Sequence, residues 1–98
     1  MARNPDDPDL EGFAKRLALL PSGTFAGVAA GRRYIVTKTI FNAGRSIKLV
    51  AEELGGRDYV SLNFYDLHNG GKLAPCEMPA TKVIGFVLRF RPDKARKW

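Results

Sequence analysis

From Thr24 onward the chain is punctuated at a nearly constant interval. The runs "TFAGVAAG", "RRYIVTKTIF", "SIKLVAEEL", "YVSLNFYDL" and "KLAPCEM" are separated by Gly-Arg, "NAGR", "GGRD" and "HNGG". The runs are rich in β-branched and aromatic residues, which fit a pleated, half-buried surface. The separators are rich in Gly, Asn and Asp, which tolerate the positive φ that tight turns need. Such a pattern, repeating about every ten residues, predicts successive hairpins. Asn69-Gly70 is the strongest single hairpin signal, because both central residues of a type I′ turn have positive φ. The expectation is an antiparallel meander of about five strands, either open or curled into a small barrel.

Two segments read as helices. Leu10, Phe13, Ala14, Leu17 and Leu20 recur at helical spacing, with Asp9 placed to cap the start and Pro21 to stop the end. Lys15 and Arg16 are expected on the solvated side of this helix. At the other end, Val83, Phe86, Val87 and Phe90 form a helical stripe, while Ile84, Phe86, Leu88 and Phe90 alternate as a strand would. Ala-Thr-Lys directly after Pro79 favours the helix. Residues 46–54 carry the same ambiguity: Ile47, Val50, Ala51 and Leu54 fit a helix face, yet the flanking "NAGR" and "GGRD" suit hairpins and favour a strand. The predicted class is therefore α+β, a meander with an N-terminal and a C-terminal helix. Residues 1–9 read as a flexible acidic arm, 10–91 as a single globular domain and 92–98 as a basic tail.

Ninety-eight residues suffice for one small core. Hydrophobic residues at 45% and charged ones at 27% are a globular composition. No apolar run approaches the roughly 18 to 20 residues that span a bilayer, and "MARNPDDPDLEG" lacks the pattern of a signal peptide. One cysteine makes no internal disulfide, which points to a reducing cytoplasm. The net charge of +6 and pI of about 9.8 favour polyanionic partners. The charge is uneven. Asp6, Asp7, Asp9 and Glu11 face Arg3 alone at one end, and Arg89, Arg91, Lys94, Arg96 and Lys97 face Asp93 at the other.

Catalytic signals are weak. Cys76 as a reactive thiol needs a base or a helix N-terminus beside it. His68 is the single histidine. A two-residue turn at Asn69-Gly70 would pair His68 with Gly71 and set Cys76 opposite Asn63. Five residues of strand at ~3.3 Å each then separate thiol and imidazole by roughly 16 Å, beyond proton transfer. A helix opening at Pro79 would lower the thiol pKa, and the neighbouring Glu77 would raise it. No second cysteine is present to resolve an oxidised sulfur. Cys76 therefore reads first as a small apolar residue. No pair at metal-ligand spacing and no phosphate-binding glycine motif occurs, so neither a metal nor a cofactor is expected.

The alternation in "YVSLNFYDL" carries more information. Val60, Leu62 and Phe64 share a core face, and Tyr59, Ser61, Asn63 and Tyr65 share the opposite one, joined there by Cys76. Two tyrosines, a hydroxyl and an amide can stack bases and bond their edges, with Arg32, Arg33, Lys38, Arg45 and Lys48 on phosphates. The leading expectation is thus a non-catalytic module that binds single-stranded nucleic acid. If the terminal helices cover this face, the tyrosines are instead packing residues. A second expectation is a protein-interaction or homo-oligomeric module, pairing through an edge such as "TFAGVAAG". A thiol enzyme centred on Cys76 is the third.

The succession "GRRYIVTK", "AEELGGRDYVSLNFY" and "PCEMPATKVIGFV" resembles a group of short uncharacterised bacterial proteins with no established activity. Some small proteins of this type carry a peptide methionine sulfoxide reductase label. The present chain lacks both the Gly-Cys-Phe-Trp type motif of one reductase class and the paired cysteines of another, so the resemblance assigns no functional residue.

Overall fold

The computed structural model describes residues 10–65 and 71–93. It contains α1 (Leu10–Leu19), β1 (Gly23–Ala29), β2 (Arg32–Phe41), β3 (Ser46–Glu53), β4 (Tyr59–Tyr65), β5 (Lys72–Pro75), α2 (Ala80–Arg89) and β6 (Arg91–Pro92). The first five strands form the expected antiparallel meander. The sixth returns to pair with β1, giving the order β5-β4-β3-β2-β1-β6. The outermost strands, β5 and β6, do not pair with each other, so the sheet stays open and is not a barrel.

The turns follow the chemistry of their residues. Ala29 pairs with Arg32, so Ala30 and Gly31 form a two-residue connection, both at positive φ (52° and 75°), as a type I′ hairpin requires. Asn42, Ala43 and Gly44 are likewise at positive φ between β2 and β3. Residues 46–53 are a strand, and Leu54 falls in the turn after it. The segment after Pro79 is a helix, with Pro79 as its extended N-cap residue. Asn69-Gly70 and His68 lie outside the described residues.

The β4–β5 register differs from the expected one by two residues. Leu62 faces Pro75, Tyr65 faces Lys72, and the Cys76 N–H donates to the Ser61 carbonyl at 3.0 Å. Side chains alternate with a period of two, so this slip keeps Cys76 on the predicted face while moving its neighbour from Asn63 to Ser61.

Both helices pack on one side of the sheet. Phe13 and Leu17 of α1, and Val83, Ile84, Phe86 and Val87 of α2, are buried with Tyr34, Val36, Leu49, Ala51, Val60, Leu62 and Phe64. Phe13 meets Phe64 edge-on at 5.3 Å between ring centres, and Phe86 meets Tyr34 at 4.9 Å. Each such side chain contributes about 1.5–3 kcal/mol on full burial. Arg16 is not on the solvated side of α1: its guanidinium reaches across to the Phe90 carbonyl at 2.7 Å, tying α1 to the end of α2. Lys15 is exposed, as expected, near Glu11 at 3.8 Å.

Candidate functional site

With both helices on one side, the opposite face of the sheet lies open. Cross-strand pairing arranges its side chains in rows. One row runs through Ala74, Asn63, Lys48 and Thr39; the next runs through Ser61, Val50, Thr37 and Thr24. The hydroxyls of Thr24 and Thr37 are hydrogen-bonded at 3.1 Å. Tyr59 and Tyr65 stand at the two ends of β4, 45% and 36% exposed, with half-buried Ser61 and Asn63 between them. The helices therefore leave both tyrosines partly open, although the Lys82 side chain of α2 lies over the Tyr59 ring.

Each ring is steadied by a neighbour. Tyr65 stands edge-on to Phe41 at 6.0 Å, and the Lys82 ammonium lies 5.9 Å from the Tyr59 ring centre. Cys76 is half-buried at the β5 edge of this face, beside Ser61.

The five cations expected on this face divide. Lys48 is exposed on it, directly between Asn63 and Thr39. Arg45 sits in the turn after β2 and bonds back to Asn42. Arg33 faces the open side, but its guanidinium is clamped to both oxygens of Asp93, at 3.1 and 2.7 Å. Lys38 and Arg32 project to the helix side instead. Lys38 is only 3% exposed, and its amine donates to the carbonyls of Ala18 (3.1 Å) and Leu20 (2.7 Å) at the end of α1. Burial lowers its pKa. It is a helix-capping residue, not a phosphate contact. Both residues share the parity of the core residues Tyr34 and Val36, and strand alternation assigns them to that side. The pairing also brings cations that sequence reasoning missed. Lys72 lies opposite Tyr65 and Arg91 opposite Val28, both on the open face.

The helix side has its own concavity, a cleft of about 350 Å³ between α2 and the β1–β2 end of the sheet. Arg32 and Tyr34 of β2, Asp58 before β4, and Lys82, Gly85 and Arg89 of α2 line it. Asp58 organises one wall. The Tyr34 hydroxyl donates to one carboxylate oxygen and the Lys82 amine to the other, each at 2.7 Å. The Lys82 and Tyr34 hydrogen bonds hold the Asp58 pKa below the usual carboxylate range. Burial, together with the bond to Asp58, pushes the Tyr34 phenol up to about 12. Apart from Arg32, these residues were not singled out from the sequence, although Lys82, Gly85 and Arg89 fall on one face of a helix at i, i+3 and i+7.

Among the described residues no group of three or more His, Cys, Asp or Glu side chains could hold a metal ion, and no helix is long and apolar enough to cross a membrane. No protein family, curated protein or solved structure compared with the chain matches it.

Proposed function

We propose that the protein is a non-catalytic binding module that takes single-stranded nucleic acid on the open face of its sheet. The observation that carries this reading is the placement of both helices on one side, which leaves Tyr59 and Tyr65 exposed along a single strand. Six residues of β4 at ~3.3 Å each set the two rings about 20 Å apart, a spacing that spans several nucleotides of an extended strand. Ser61 and Asn63 between them offer a hydroxyl and an amide to base edges. Lys48, Lys72 and Arg91 on the face, with Arg45 at its end, supply charge for phosphates, against Glu52 and the Asp93 already committed to Arg33.

On the opposite side, the Tyr34–Asp58 pair is not set up to move a proton near neutral pH. Tyr34 is driven up and Asp58 down, both away from the neutral range in which a proton shuttle works. A lone cysteine is in keeping with a reducing cytoplasm.

Anisotropy titrations with a labelled mixed-sequence oligonucleotide test the reading. Affinity is expected to fall steeply with salt, and Lys48→Ala to reduce the slope of log K against log salt by about 0.7. Tyr59→Ala and Tyr65→Ala should each weaken binding by about fivefold or more, the loss of one base stack. Absence of binding at low salt overturns the proposal. If light scattering then finds a dimer that Tyr65→Ala dissociates, the face is a homo-oligomeric interface instead.

A further inference from the structure

The cleft beneath α2 has three features that packing alone does not call for. First, its cations outnumber its carboxylates. Arg32, Lys82 and Arg89 face Asp58, whose two oxygens are already taken by Lys82 and Tyr34. Arg32 lies 3.8 Å from Glu53, and Arg89 has no ion-pair partner among the described residues. Second, a glycine occupies the interior of α2, where it weakens the helix relative to alanine. The usual reason for such a glycine is close packing, and that is absent: a Cβ on Gly85 would meet nothing within 4 Å. Third, the volume falls within the range of small-ligand sites, and Val60 and Phe86 supply apolar wall beside the charges.

We infer that this cleft is a ligand site, separate from the tyrosine face, for a small organic oxyanion: a carboxylate or phosphate monoester carried on a compact apolar group. The guanidinium groups of Arg32 and Arg89 present planar donor forks that match either oxyanion. Gly85 lets the ligand approach the helix backbone, and the edge of Phe86 receives the apolar part. Asp58, fixed as a carboxylate between Tyr34 and Lys82, limits the charge that the cleft accepts and disfavours polyanions.

Backbone amide NMR on the full chain, with phenyl phosphate and benzoate as probes, tests the assignment. Saturable shifts are expected at Ala30, Asp58 and Gly85 with at least one of the two probes, and none with benzyl alcohol, which keeps the ring and lacks the charge. Arg89→Gln should weaken binding about tenfold, the loss of one charge-assisted contact. Gly85→Leu fills the cleft, so it should abolish binding while leaving the melting temperature equal or higher. No saturable shift up to about 10 mM probe, too weak for a built site of this size, overturns the inference. So does inorganic phosphate binding as tightly as both probes, or Gly85→Leu binding them with unchanged affinity. The two sites are told apart by the crossed measurement. Tyr65→Ala should leave probe affinity unchanged, and Gly85→Leu should leave oligonucleotide affinity unchanged.

Discussion

Lys38 holds a charged amine beneath the C-terminal end of α1, where the last carbonyls of a helix have no partner of their own. The favourable end of the helix dipole and two hydrogen bonds offset the cost of desolvating the ammonium. Lys38→Met keeps the length of the chain and removes the donor. It should cost roughly 1–3 kcal/mol in urea denaturation, the price of leaving buried carbonyls unsatisfied. Tyr34 makes a second prediction at this scale. Its folded pKa of about 12 lies above the ordinary value of 10.0, so the folded protein retains a proton that the unfolded chain releases. Its contribution to stability is complete below pH 10 and is lost as pH rises toward about 12. An absorbance titration of tyrosinate should show one late phenol that Tyr34→Phe removes, and the variant should lose the corresponding part of the alkaline destabilisation.

At the scale of elements, two glycines with opposite surroundings give opposite predictions. Gly85 stands in the interior of α2 with open space where its Cβ would be, so Gly85→Ala should stabilise the fold by about 0.5–1 kcal/mol through helix propensity. Gly27 of β1 is pressed against the returning chain, where a Cβ would collide with the Arg91 carbonyl and the Phe90 ring. Gly27→Ala should therefore destabilise by about 1–3 kcal/mol, as overpacking does. Thermal melts followed by circular dichroism compare the two. The close approach at Gly27 is what lets β6 dock. This strand of two residues carries a proline and has no alternation to announce it, so residues 92–98 read simply as a tail. Its pairing with Gly27 and Val28 makes Pro92 part of the sheet, and the Asp93 N–H to the Ala26 carbonyl and the Arg33–Asp93 clamp hold Asp93 against it. β6 also covers part of the β1 edge that "TFAGVAAG" would otherwise expose.

For the molecule as a whole, a single sheet with helices on one side distributes stability from the centre outward. β2 and β3 are paired on both edges over most of their length, whereas β5 has four residues and β6 two. Native-state hydrogen exchange should find the slowest amides among Val36, Leu49 and Ala51 and much faster exchange in β5 and β6, where local opening exposes few apolar side chains. Uniform protection across all six strands would contradict this. The same one-sided layering separates two surfaces of different character, a tyrosine- and threonine-bearing sheet face and a cationic cleft. Lys82 touches both, bonded to Asp58 on one side and lying over Tyr59 on the other.

Much of this was legible in the chain because its causes are local. Turn residues with positive φ set where strands end, the period of two sorted β4 into Val60-Leu62-Phe64 and Tyr59-Ser61-Asn63-Tyr65, and Pro79 marked the start of α2. Alternation also held the answer for Lys38 and Arg32, since both match Tyr34 and Val36 in parity. Their charge suggested the open face; Lys38 is instead buried under a helix end, and Arg32, still exposed, borders the cleft on the helix side. What no local pattern contains is the position of one element over another. The choice of which sheet face the helices cover, the docking of β6 on Gly27, and the convergence of Arg32, Asp58 and Arg89 on one cleft all join residues distant in sequence. Only the packing of apolar stripes from α1 and α2 against the same side of the sheet decided them.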